Sequence, residues 1–297
     1  MQESPGGRRE RLSFYLDWSR RETAVLFGDG AGAVVLEATD SPCGVLGYEL
    51  NNDPGGRDIL KASFGTGMDR FVAESLDFYI QFDGQEIFKR AINGMGKLSA
   101  QVLEKCGLDK EEVDWVIPHQ ANERIIDTLV HRMKIPKEKA FVNIANYGNT
   151  SAATIPIAIC DALEKGMIKP GQHILSCAFG AGLTSAALLL KWGDRVTPLK
   201  QSDASLPPCE QTGIELVKRA VDYFCHRDKP EIKPEPNDLF KKTVPWAPFF
   251  IAIVYTALAS AVFNLGYQAE TGHTGTILLP CSATIAIIPS CNSSATS

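Results

Sequence analysis

Between Gln85 and Trp192 the chain alternates runs of helical and strand periodicity, and that alternation limits the fold more than any other feature. "QEIFKRAINGMGKLSAQVLEKCG", residues 85–107, sets Ile87, Phe88, Ala91, Ile92, Met95, Leu98, Val102 and Leu103 near the 3.6-residue period, and Gly107 is placed to end the helix. "VDWVIP" then reads as a buried strand, and "NERIIDTLVHRM" as a helix with Ile125, Ile126, Leu129, Val130 and Met133 on one face. "TIPIAICDALEKG" predicts a further helix, with Pro156 early, where a missing amide hydrogen costs least. "QHILSCAF" and "LTSAALLLKW" predict two strands around Gly180 and Gly182. Strands alternating with helices imply an α/β layered domain.

Upstream, "TAVLFGDGAGAVVLEA", residues 23–38, reads as strand, glycine turn, strand, and "GVLGYEL", 44–50, as another strand before a glycine- and asparagine-rich loop from Asn51 to Gly67. Gly28, Gly30 and Ala33 satisfy the spacing G-x-G-x-x-A of a dinucleotide site. That fingerprint must open a helix whose N-terminus holds the pyrophosphate, whereas "AVVLEA" is strand-forming, so a tight turn is the better account.

Downstream, residues 194–228 hold a polar linker and a short helix, "GIELVKRAVDYF", and 229–243 form a linker rich in proline and charge. The tail, 244–297, begins with an uncharged run from Val244 to Tyr267, as long as a membrane span, with Trp246 and Tyr267 where interfacial aromatics would sit. It reads either as a membrane segment over 246–267 or as a spurious extension.

A formal net charge of -5 over 297 residues argues against nucleic acid as the main partner, because such binding needs a basic face. The eight cysteines show no zinc-like spacing, and the N-terminus lacks the apolar core of a signal peptide. Reduced thiols and a cytoplasmic location follow, with membrane anchoring through 246–267 as the alternative.

The chemistry concentrates at two corners. In "WVIPHQANERII", His119 ends a buried strand just before a helix, at the carboxyl edge where open α/β sheets place ligands. "NIANYGNTSAATIPIAI", 143–159, again reads as strand, polar turn, helix, with Asn149 beside Gly148 and a run of small residues; Thr150 or Ser151 suits an ordinary N-cap. A neutral imidazole N–H and a side-chain amide N–H are the right kit for stabilising a developing oxyanion. No Gly-x-Ser-x-Gly elbow and no His-x-x-x-His metal pair occurs, and Cys160 and Cys177 look like buried small hydrophobes.

"FGDGAGAVVL", "DGQEIFKRAI", "WVIPHQANERII", "NYGNTSAATIPIAI" and "IKPGQHILSCAFGAGLTSAALLLKW" together resemble, in this order, the C-terminal half of β-ketoacyl-acyl carrier protein synthase III, over roughly residues 12–193. The resemblance implies the thiolase-like layered αβαβα sandwich. Residues 1–40 would be the end of the N-terminal repeat, 41–193 the C-terminal synthase domain and 194–228 an extension helix.

It also implies an acyltransferase of fatty acid biosynthesis. An acyl group from acyl-CoA would pass to a cysteine thiolate, and malonyl-acyl carrier protein would then lose carbon dioxide and attack the thioester. By that resemblance His119 and Asn149 are the catalytic donors, Asn122, Gly180 and Leu183 line the substrate or pantetheine site, and Arg124 meets the acyl carrier protein. Leu183 stands where a phenylalanine is common. No cofactor or metal is implied, and a homodimer is expected of the intact enzyme. The family's nucleophilic cysteine belongs to an N-terminal half that this sequence does not match, so the chain alone is expected to be inactive in condensation. The alternative is a noncatalytic thiolase-like remnant, or a membrane-tethered module that binds carrier protein or CoA.

Overall fold

The computed structural model describes residues 3–37, 40–62, 79–198, 210–226 and 287–288. Its strands are β1 (Glu3–Arg11), β2 (Asp29–Glu37), β3 (Gly44–Asn52), β4 (Leu60–Lys61), β5 (Gln81–Phe82), β6 (Trp115–Val116), β7 (His173–Gly180), β8 (Thr184–Lys191) and β9 (Ile287–Ile288). Its helices are α1 (Arg21–Ala24), α2 (Gly84–Cys106), α3 (Glu123–Met133), α4 (Ile144–Tyr147), α5 (Thr154–Glu164) and α6 (Gly213–His226).

β3, β8, β7 and β6 form a mixed sheet in that order, with β6 parallel to β7 and the other pairs antiparallel. Pairing with β7 continues past the two residues of β6. Ile117 donates its N–H to the Leu175 carbonyl at 2.9 Å, and His119 donates to Cys177 at 2.8 Å. The extended segment expected at 113–118 is therefore present, and its carboxyl end is His119.

Both faces of this sheet are covered, which is why its strands read as continuous apolar runs rather than alternating ones. Leu175, Cys177 and Phe179 of β7, with Ala187 and Leu189 of β8, pack against Ile92, Met95, Leu98 and Val102 of α2 and Ile125 and Leu129 of α3. The intervening Ile174 and Leu190 pack on the other side, against Ile155, Ala158, Ile159 and Ala162 of α5. Burying each large aliphatic side chain contributes roughly 1.5–3 kcal/mol, so these two clusters dominate stability.

The helix ends follow local chemistry. Asp83 accepts hydrogen bonds from Gln85 N and Glu86 N at the start of α2, and Gly107 closes it at φ 64°. Asn122 caps α3 by accepting from Arg124 N. At α6, Thr212 and Glu215 exchange hydrogen bonds in a capping box.

A second sheet, in the order β1-β2-β9, lies on the far side of α5. Here two expectations fail. Residues 23–38 do not form strand, turn, strand: Arg21–Ala24 is a short helix, and β2 runs unbroken from Asp29 through the glycines. The reason is contact rather than turning. A Cβ on Gly28 would lie 2.1 Å from the Tyr147 carbonyl oxygen, one on Gly30 2.8 Å from Thr150 Cγ2, and one on Gly32 2.6 Å from Pro156 Cγ. Glycine at every second residue strips one face of the strand bare, so the segment 147–156 can rest on its backbone. The second failure is at 143–147, where Ile144–Tyr147 is one helical turn instead of a strand. Asn143 Nδ2 and Tyr147 Oη both donate to the buried Asp161, at 3.0 and 2.9 Å, which bends this stretch onto α5.

Cys43 is disulfide-bonded, so the reading of all cysteines as reduced thiols fails there; Cys106, Cys160, Cys177 and Cys225 are free. The linker at 229–243 and the apolar run at 246–267 lie outside the described residues. Among the described residues no helix is long and apolar enough to cross a membrane.

Two glycine substitutions separate contact from conformational cost. Gly28→Ala should destabilise by about 1–3 kcal/mol, because the obstructing atom is backbone and cannot swing aside. Gly96→Ala, inside α2 with nothing closer than 3.6 Å, should stabilise by about 0.5–1 kcal/mol. Urea unfolding of both variants checks the pair; equal effects would contradict the packing account.

Candidate active site

His119 is held through both its backbone and its ring. The strand pairing fixes its backbone, and its ring Nδ1 lies 2.6 Å from Thr154 Oγ1, at the start of α5. Only 8% of the residue is exposed, and burial pulls the imidazole pKa down to about 4, so the ring is neutral at pH 7. No described residue bonds Nε2. The next residue does structural work: Gln120 Nε2 donates to the carbonyls of Pro118 and Phe141, and its Oε1 accepts from Asn143 N at 3.0 Å. Gln120 thereby ties the first corner to the second.

The second corner is clamped by backbone. Asn149 N donates to Leu26 O at 2.8 Å, and Asn149 O accepts from Gly28 N at 3.0 Å, the two-way pairing that the bare glycine strand allows. Gly148 makes the bend at φ 70°. Asn149 Oδ1 accepts from Ser151 N at 2.9 Å. This orients the amide, because its carbonyl end is engaged and its NH2 end has no partner among the described residues. Neither Thr150 nor Ser151 serves as the N-cap that its residue type suggests: no side-chain cap bond forms at the short 3₁₀ turn Ser151–Ala153 or at α5. Ser151 instead turns at φ 52° and offers its N–H to Asn149.

His119 and Asn149 are thus anchored to one turn, through Thr154 and Ser151 respectively. Asn122 and Arg124 follow His119 at the head of α3, with Asn122 half-buried and Arg124 exposed. Gly180 ends β7 and pairs with Thr184 across the hairpin to β8. Leu183 exchanges backbone hydrogen bonds with Asp53, at 2.7 and 2.9 Å, and its side chain is packed in the core beside Gly56.

Sequence reasoning missed Gln120, Thr154 and Asp161. Polar residues buried to 1%, 2% and 6% exposure announce themselves only once burial is known, although an Asp within the apolar helix "TIPIAICDALEKG" was an available signal. The thiols behave as the apolar readings of Cys160 and Cys177 imply: burial pushes each up to about 12, and it also raises Cys106. Burial likewise leads in pushing the Tyr147 hydroxyl up to about 12, with its bond to Asp161 next. Among the described residues no group of His, Cys, Asp and Glu could hold a metal.

The pattern of the family described as 3-oxoacyl-[acyl-carrier-protein (ACP)] synthase III C terminal matches residues 103–192, a stretch that includes both corners. The companion pattern, 3-oxoacyl-[acyl-carrier-protein (ACP)] synthase III, matches residues 8–54. The chain belongs to the β-ketoacyl-acyl carrier protein synthase III family.

Among synthase III relatives, β-ketoacyl-[acyl-carrier-protein] synthase III 2 of Vibrio cholerae is 56% identical over 223 residues, which cover 75% of this chain and 61% of that protein. The synthase III of Geobacillus kaustophilus is 45% identical, over 62% of this chain and 55% of its own length. The crystal structure of the Aquifex aeolicus synthase III superposes with a TM-score of 0.59 at 43% identity, covering 64% of this chain and 58% of that one. The Pseudomonas aeruginosa synthase III structure gives 0.60 at 32% identity, with 66% and 59% covered. The chain therefore spans about three-fifths of the length of the relatives that it matches. The two sheets, with α5 between them and α2 and α3 outside, are layers of the thiolase-like sandwich that these synthases share.

The buried histidine of this synthase III chain gives a measurable pH signature. An unfolded imidazole titrates near 6.5 and the folded one near 4, so between these values only the unfolded chain takes up the proton. The histidine costs no stability above about pH 6.5, and its destabilisation grows as pH falls toward 4. Urea midpoints measured across that range should fall more steeply for the unaltered chain than for His119→Gln. Parallel pH profiles would show that His119 is not buried as a neutral ring.

Proposed function

We propose that the two corners stabilise the negative charge that develops on a malonyl thioester carbonyl during decarboxylation, the carbanion-forming step of a synthase III condensation. One observation carries this reading: His119 and Asn149 each have one end tied to the 151–154 turn, and each keeps a nitrogen with no partner among the described residues. As the bond to the carboxylate breaks and carbon dioxide leaves, the electron pair moves toward the thioester oxygen, and two preorganised N–H donors lower that barrier most where burial excludes water. The carrier of the thioester would be acyl carrier protein, since the relatives are named as acyl-carrier-protein synthases, and the malonyl group is the one that the family resemblance implies. Arg124, exposed one turn from His119, suits the acidic surface of such a carrier. Asn122, Gly180 and Leu183 would border the pantetheine arm. The reaction asks for no cofactor or metal.

The acyl-accepting half of condensation needs a thiolate, and Cys106, Cys160 and Cys177 are all held in the thiol form. None of these three supplies that thiolate, so we assign decarboxylation alone to the site formed by the two corners. The same thiols leave room for a second reading, a noncatalytic module that binds carrier protein or CoA.

Incubation of the purified chain with malonyl-acyl carrier protein should release carbon dioxide, and His119→Ala or Asn149→Ala should each slow the release by about 10² to 10³-fold. Binding of the carrier protein without turnover, unaffected by either change, would favour the noncatalytic module. Arg124→Glu should weaken carrier binding and flatten its dependence on salt, as loss of a rim charge does.

A further inference from the structure

The geometry points to Thr154 as the positioning residue for His119: its hydroxyl donates to Nδ1 and so keeps the imidazole proton on Nε2, the nitrogen with no partner among the described residues. This rests on the proposed oxyanion role for its functional meaning, but the placement of the proton stands on separate observations.

A threonine hydroxyl has one hydrogen, and here it has two candidate acceptors. Oγ1 lies 2.6 Å from His119 Nδ1 and 2.9 Å from the Ser151 carbonyl oxygen. If the hydrogen went to Ser151, Nδ1 would have to carry the ring proton and donate to Oγ1, leaving Nε2 a lone pair that repels an oxyanion. If the hydrogen goes to Nδ1, that nitrogen is the acceptor and Nε2 is the donor.

Two facts favour the second arrangement. Hydroxyl donors make contacts as short as about 2.5 Å, so donation from Oγ1 fits the 2.6 Å separation. The Ser151 carbonyl, moreover, already accepts the backbone N–H of Thr154, so moving the hydroxyl away orphans nothing. Thr154 is 2% exposed and its hydroxyl is thereby shielded from water that could compete for the hydrogen. The main chain sets the rest: the turn that presents Thr154 is the one that orients Asn149 through Ser151. One turn therefore fixes both side chains, Asn149 by donating the Ser151 N–H to its amide oxygen and His119 by donating the Thr154 hydroxyl to its ring nitrogen.

Proton-detected nitrogen spectra of the histidine rings in the 15N-labelled full chain test this, with His119→Gln identifying the resonance among the five histidines. We expect an unprotonated Nδ1 and a protonated Nε2 for His119 at pH 7, the same pattern in Thr154→Ser, and a shift toward a protonated Nδ1 in Thr154→Val. A protonated Nδ1 in the unaltered chain, or a Thr154→Val spectrum identical to it, overturns the inference. If the valine variant fails to fold, the unaltered chain and the serine variant still decide. In the decarboxylation assay Thr154→Val should lower kcat on the order of 10-fold with little change in KM, and Thr154→Ser should restore it. The expected tautomers in a chain without turnover support the placement of the proton by Thr154 and count against the oxyanion reading alone.

Discussion

The close approach of β2 to the 147–156 turn is the contact on which the site depends. Gly28 donates its N–H to Asn149 O while Leu26 O accepts from Asn149 N, and Gly30 and Gly32 leave room for Thr150 and Pro156 to press against the strand. With any side chain on that face the turn would be lifted by several tenths of an ångström at least, and the two donors it orients would move with it. Preorganised electrostatics tolerates little of that, since a donor acts over a narrow range of distance.

A second constraint is dielectric. His119 sits where charging the ring is costly, and that cost keeps the imidazole neutral at pH 7. Several polar groups around it are paired. Gln120 bonds through both ends of its amide, and Asn143 and Tyr147 share the two oxygens of Asp161. Such a network holds two loops of different origin in one arrangement, because leaving any member unpaired in the interior would cost about 1–3 kcal/mol. Beside that network, His119 Nε2 and Asn149 Nδ2 have no partner among the described residues.

Much of the architecture was legible before any coordinates. The helices at 85–107 and 123–133 and the strands at 173–180 and 184–191 follow from apolar period and from caps such as Asp83 and Gly107. Residues 23–38 and 143–147 depart from their local pattern because each answers to a distant partner. The alternate glycines, locally a turn signal, serve a neighbour about 120 residues away in sequence, and Asn143 and Tyr147, in a stretch whose pattern suggests a strand, serve a buried carboxylate on α5. Local pattern carries no information about such partners.

The amino-acid order by itself determined the layered α/β class, the two donor-rich corners and, through the motifs around His119 and Asn149, the family. These are short-range or residue-by-residue properties, set by side-chain size, polarity and spacing. Only the tertiary structure decided which end of the Asn149 amide is free, why the Gly28-x-Gly30-x-Gly32 face is bare, and that Thr154 rather than a neighbour in sequence stands against the imidazole. Each of those depends on where one hydrogen or one missing Cβ meets a distant segment, and that meeting exists only after the layers have packed.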